Sequence, residues 1–370
     1  MPLRLEPRPE PSRLMLGLAP VLAVVLTVIA GAILFALLGK DPIAALRAFL
    51  VTPVSTAYGL AELALKATPL VLIALGLAIG FRAGVWNIGA EGQLVLGAVC
   101  GGGVALFFYG NDAPYVLPLM LLAGIAGGML WAAIPAFLKA RFDVNEILVS
   151  LMLTYVATLL LSTLVYGPWK DPEGFSFPQS RMFTTTVPVI LENTRLNIGA
   201  IIALVAVALA WLLMARTLAG FAVTVTGLAP AAARFAGFRQ SSIVWWTFLL
   251  AGGLAGLAGV LEVAGPIGQL VPNVSPGYGF TAIIVAFLGR LNPLGILLAA
   301  LIVALSYIGG ENAQVEVGLP QAVTGVFQGM LLFFLLASDV LIRYRVRFSR
   351  RRPAAAPAAP ASPAAEKVLP

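Results

Sequence analysis

Apolar residues in this chain run in long, nearly unbroken stretches, without the two-residue alternation of a half-buried strand. A helix that crosses the hydrocarbon core needs roughly 20 such residues, and Leu14–Leu38 supplies them at once. No small-x-small cleavage site follows directly, so this stretch reads as a retained span, not a signal peptide. Further runs cover Ala57–Ile79, Gln93–Tyr109, Pro114–Leu138, Glu146–Tyr166, Ile198–Met214, Ile243–Ala264 and Gln321–Ile342. Phe280–Gly309 is split by Gly289-Arg290-Leu291-Asn292-Pro293 into halves short for a full crossing: two tilted spans or a pair of half-helices. Either way the number of crossings is even, ten or eight. The pattern predicts an all-α polytopic transmembrane bundle of about 8–10 spans, with both termini on one side of the membrane.

Composition agrees. Of 370 residues, 60% are hydrophobic and 11% charged, against roughly half and a quarter in soluble domains. With no histidine and a single cysteine, Cys100, the chain has no His-based acid–base chemistry, no His/Cys metal site and no internal disulfide. No cofactor is expected. The net charge of +7 encodes orientation rather than nucleic-acid binding. With both termini in the cytosol, seventeen of the 23 Lys and Arg fall inside, and Lys66 lies within a span. Only Lys40, Arg47, Lys170, Arg181 and Arg195 fall outside. This division satisfies the positive-inside rule. Residues 1–13 form a cytoplasmic tail, 14–342 the transmembrane domain, and 343–370 a basic, then Pro/Ala-rich tail expected to be disordered. The polar outside loop Gly167–Asn197 is long enough to seat an external partner or to be a solvated connector.

Polar groups at membrane depth are costly, so their positions suggest function. The richest cluster is FRAGVWNIGAEGQ, Phe81–Gln93, in which Asn87, Glu91 and Gln93 lie among Gly84, Gly89 and Gly92. Two readings stay open: a broken helix whose polar groups face a translocation pathway, or a cytoplasmic hairpin with Glu91 solvated. Glu262 sits in AGGLAGLAGVLEVAG, where Gly252 and Gly256 have the four-residue spacing that lets helices approach closely; Gly124 and Gly128 repeat it. Gln269, Asn273, Gln321 and Gln328 are further polar positions that can line a pathway. Asn145 and Glu146 read as a helix cap with an acid in the first turn. Glu62 and Lys66, spaced i,i+4, are expected to pair with each other near the outer end. Between Met214 and Ile243, Pro230 opens a short helix with Ala231, Phe235 and Phe238 on one stripe. It is too short to stand alone and suits a groove on a partner or the membrane surface.

Taken together, the motifs resemble the permease subunits of ABC importers of the branched-chain amino acid/ribose-type superfamily, in its nucleoside and simple-sugar branch. FRAGVWNIGAEGQ, VNEILVSLMLTYVA (Val144–Ala157), AGGLAGLAGVLEVAG and GYGFTAIIVAFLGRLNPLGI (Gly277–Ile296) carry the resemblance, which runs from about Leu14 to Ile342. It implies a multi-pass protein of the bacterial inner membrane that moves nucleosides, or else simple sugars, by alternating access. It makes residues 229–238 the coupling helix that enters an ATP-binding subunit, through Pro230, Ala232, Ala233, Phe235 and Gly237. Where the family pattern has Asn before the Pro, this chain has Ala229. It also puts Asn87, Glu91 and Gln93 near the substrate pathway. The partners it implies are an ATP-binding subunit, a second permease (identical or not), an external solute-binding protein and the bilayer. The chain is not expected to be an enzyme. It has no GxxxxGK[ST], since Gly39-Lys40 is followed by Asp41 and position 34 is Leu34, so ATP hydrolysis falls to the partner. The rival class is an ion-coupled secondary transporter, for which Glu91 and Glu262 are the carboxylates on offer. A membrane-embedded enzyme lacks a nucleophile–base pair.

Overall fold

A computed structural model describes residues 3–7, 13–175 and 177–348. The described chain is a helical bundle. Helix α1 (Arg13–Leu37) is followed by α2 (Pro42–Leu46), which runs on through a π-helical turn and a 3-10 turn to Val54. Then come α3 (Ala57–Arg82), α4 (Ala90–Phe107), α5 (Val116–Phe142), α6 (Glu146–Tyr166) and α7 (Gly199–Arg216). Two short helices, α8 (Leu218–Leu228) and α9 (Pro230–Phe235), lead into α10 (Gln240–Glu262). The chain ends with α11 (Tyr278–Leu288), α12 (Pro293–Val317) and α13 (Ala322–Arg343). Among the described residues, α1, α3, α4, α5, α6, α7, α10 (to Ile267) and α12 are long and apolar enough to cross a membrane.

The sequence writes its own helix ends. Thr56 caps α3 by accepting from Gly59 N–H at 3.0 Å, and Asn145 caps α6 by accepting from Ile147 N–H at 3.0 Å. Asn292 caps α12 by accepting from Leu294 N–H at 3.1 Å, with Pro293 at the first helical position. The split seen at residues 289–293 resolves into unequal parts. At 11 residues, α11 rises about 16 Å, half a crossing, whereas α12 at 25 residues is a full span. The sequence reading stopped that stretch at Gly309, because Glu311-Asn312 follows; the helix continues to Val317.

Glycine rows set the core. α10 packs on α5, α4 and α3, and the rows at 124/128 and 252/256 face each other. A methyl on Gly128 would lie 2.8 Å from Gly256 Cα, and one on Gly97 would overlap the Gly256 backbone. Only hydrogen at these Cα positions allows such approach. α1 shows the opposite case: Leu18, Val21, Val25, Ile29 and Ile33 are exposed along one face, and α13 packs on the helix. Strands β1 (Leu3–Pro7) and β2 (Tyr344–Phe348) pair antiparallel, Leu3 opposite Phe348 and Pro7 opposite Tyr344. Residues 3–7 and 344–348 therefore lie side by side as a two-stranded ladder. The Pro/Ala-rich tail lies outside the described residues.

Candidate functional site

α10 carries one end of the molecule to the other: its 23 residues span about 33 Å, from the α8–α9 knuckle to Glu262. At the Glu262 end is a cavity of about 390 Å³. Its wall takes Lys66 from α3, Glu262 from α10, Tyr278 from α11, Tyr307 and Glu311 from α12, and Gln328 from α13. Asn273, Gln314 and Gln321 complete its polar lining. Of the polar positions singled out in the sequence, Glu262, Asn273, Gln321 and Gln328 come together here. Gln269 does not; its amide donates to Gln179 at 3.3 Å.

The wall is tied by polar contacts between helices. Lys66 Nζ is 3.9 Å from Glu311 Oε1 and 5.9 Å from the centre of the Tyr278 ring. The Tyr278 hydroxyl donates to Glu262 at 3.5 Å. Thr281 and Tyr307 share a hydrogen bond of 2.8 Å, and the Gln328 amide donates to Ser306 at 3.3 Å. The expected Glu62–Lys66 pair does not form. Lys66 faces Glu311, and Glu62 is taken by Arg195, whose Nε and Nη2 donate to its two oxygens at 2.9 and 2.5 Å. A forked guanidinium fits a carboxylate better than a point-charge ammonium one turn away. The hydrogen bond to Glu62 holds Arg195 protonated more firmly than usual. Sequence reasoning missed Glu311 and Gln314 as site residues; their signal was polar spacing beyond the point where the apolar run was judged to end.

The loop Gly167–Asn197 folds over this end rather than hanging free. Ser180, Phe183 and Val187 donate backbone N–H groups to Leu270, Gly268 and Ala264 at 2.8–2.9 Å. Phe175 and Phe177 stay exposed on it.

Asn87, Glu91 and Gln93 are all buried, outside the cavity wall. After α3 ends at Arg82, residues 83–89 have no regular structure; Gly84 and Trp86 are exposed, and Ala83, Val85, Asn87 and Gly89 are buried. Asn87 and Gln93 exchange amide hydrogen bonds of 2.9 and 3.1 Å, and Asn87 also accepts from Gly89 N–H at 3.1 Å. Those mutual bonds use one N–H and the oxygen of each amide. Glu91 accepts from Gly279 N–H at 2.6 Å, which joins the first turn of α4 to the first turn of α11.

At the other end, the knuckle is nearly bare. Ala229 provides no side-chain cap for α9. Ala233 is buried, Pro230, Ala232 and Gly237 are exposed, and Phe235 is 94% exposed. The predicted stripe is therefore not covered by this chain; of its members only Phe238 packs, edge-on to Phe221 at 6.2 Å. Gly227 fits directly against the Arg82 carbonyl, where any side chain would overlap. Among the described residues, no cluster of His, Cys, Asp and Glu could hold a metal ion.

Comparison with known proteins agrees with this architecture. Residues 59–336 match the family described as branched-chain amino acid transport system / permease component. The chain is 39% identical over 364 residues to a glucose ABC transporter permease protein of Haloferax volcanii, covering 94% of this chain and 95% of the other. It is 32% identical over 335 residues to a guanosine ABC transporter permease protein of Bacillus subtilis, covering 90% and 94%. With a nucleoside ABC transporter permease protein of Lactococcus lactis the identity is 27% over 334 residues, covering 88% and 92%. No solved structure matches the chain.

Proposed function

The chain belongs to the branched-chain amino acid transport system / permease component family, and on that premise we propose that it is the membrane-spanning subunit of an ATP-driven ABC importer for nucleosides or simple sugars. It is a multi-pass transport component, not an enzyme, and the family implies an ATP-binding subunit and a substrate-binding protein as partners. The single observation that carries the finer reading is the polar cavity of about 390 Å³ at the Glu262 end of α10, about 33 Å from an uncovered α9.

The cavity's chemistry supports a neutral, hydroxyl-rich solute. Lys66 lies against Glu311, and Gln314, Gln321, Asn273 and Tyr307 offer donors and acceptors for hydroxyls or base edges. The charge distribution puts α9 in the cytosol and the cavity at the outer side, where a binding protein delivers solute. Pro230, Ala232, Phe235 and Gly237 form the surface that enters the ATP-binding subunit, with the buried Ala233 packed behind it, and Phe235 is its anchor. Asn87, Glu91 and Gln93 serve the pathway from behind its wall, by holding the interrupted helices in register. Closure of the ATPase dimer moves α9, and the bundle switches access from one face to the other.

The test is to isolate the binding protein that associates with the complex and titrate it with a panel of nucleosides, sugars and branched-chain amino acids. Saturable binding of a nucleoside or a simple sugar is expected. Binding of the amino acids alone would overturn the substrate class.

A further inference from the structure

The interrupted helices α4 and α11 start at the same place, and one carboxylate joins them. Glu91 lies in the first turn of α4 and accepts from Gly279 N–H, in the first turn of α11, at 2.6 Å. Ser275 and Gly277 stand just before α11 and shape its start. The Ser275 oxygen in turn accepts from Gly277 and Tyr278 N–H at 3.1 and 3.0 Å. Two helix starts therefore meet at one buried carboxylate, which a backbone N–H of the second helix holds in place. The fit leaves no slack, because a methyl on Gly279 would overlap the Glu91 backbone. Tyr278, the residue before Gly279, is wholly buried yet forms part of the cavity wall, with its hydroxyl on Glu262.

We propose that Glu91 is a positioning residue for transport: it fixes the first turn of α11 and thereby holds Tyr278 against Glu262 in the wall of the solute cavity. It acts without touching the solute. This rests on the reading of the cavity as the solute chamber. Glutamine at 91 has the same shape but replaces one oxygen by a donor, which then faces other donors. The first turn of α11 loosens, and Tyr278 with it.

The experiment uses the complete transporter in proteoliposomes with saturating binding protein, reading uptake per assembled complex. Glu91→Gln is expected to lower uptake about tenfold. Tyr278→Phe lowers it as well, and the double variant is no worse than the weaker of the two singles, because both remove one arrangement. In contrast, Gln321→Ala, on the cavity wall but outside this arrangement, is expected to multiply with Glu91→Gln. A merely structural loss multiplies with both. If Glu91→Gln fails to assemble, Ser275→Ala, which leaves the carboxylate in place, is expected to give about a threefold loss with the same coupling to Tyr278. Undiminished uptake, or losses that multiply with Tyr278→Phe, overturn the proposal. If Tyr278→Phe and Gln321→Ala both leave uptake untouched, the chamber reading itself fails, and that outcome is separate from any effect at Glu91.

Discussion

The two ends of α10 are built on opposite principles. At the cavity end, charges and hydroxyls from five helices are tied across helix boundaries: Lys66 to Glu311, Tyr278 to Glu262, Thr281 to Tyr307, Gln328 to Ser306. At the knuckle end, α9 is six residues long, has no side-chain cap, and leaves Phe235 and Leu228 largely uncovered. One end holds its shape with its own groups. The other leaves its apolar side chains open. Leaving a large aromatic side chain in water forgoes about 2–3 kcal/mol of burial, a cost recovered only when a partner covers it. On the function proposed above, the contrast separates the part that shapes a solute site from the part that receives force.

Breaking the rod between the ends should have the largest effect. Gly256→Val places a branched side chain where Gly124, Gly128 and Gly97 leave no room, and is expected to cost about 3 kcal/mol. Thermal unfolding in detergent checks this, and both ends fail together. Next comes a change confined to one end. Glu311→Gln leaves the Lys66 ammonium without its carboxylate and is expected to lower uptake about tenfold, while the ATP-binding subunit still co-purifies. Loss of that subunit instead would show that the ends are not separable. The smallest change acts on the bare end. Ala229→Asn supplies the missing cap and is expected to favour ordered α9 by about 1 kcal/mol. Titration with the ATP-binding subunit should then show affinity about fivefold higher; unchanged affinity would mean that α9 is already ordered before docking.

Much of this was legible in the sequence, for identifiable reasons. Long apolar runs mark spans because lipid demands them, and Gly124/Gly128 and Gly252/Gly256 mark close packing because the four-residue period puts them on one face. The break at Phe81–Gln93 was visible for the same local reason. What stayed hidden was pairing at a distance. Glu91 meets Gly279, 188 positions away, and no local rule links them. The Glu62–Lys66 expectation followed the helix's own spacing, whereas the structure sends each side chain to another segment, Glu62 to Arg195 and Lys66 to Glu311. Apolarity was silent on which spans are central. α3 and α7 are both strongly apolar, yet α3 is largely buried and α7 largely exposed, because lipid tails accept a leucine as readily as a protein core does. That Asn87 and Gln93 would take each other as partners was likewise not legible, because it depends on how the turn between them folds.

The central claim is that a solute cavity at one end is worked by a nucleotide-driven partner seated on α9 at the other. The most direct measurement is uptake of labelled solute into proteoliposomes holding the complete transporter, with ATP on the α9 side, comparing the native chain with Ala232→Glu. The side chain at 232 is exposed on α9, so the substitution alters docking without entering the bundle. Uptake is expected to require ATP and to fall by about a hundredfold in the variant, with the ATP-binding subunit lost from the purified complex. Uptake that persists without nucleotide, survives Ala232→Glu and collapses when an ion gradient is dissipated would contradict the account.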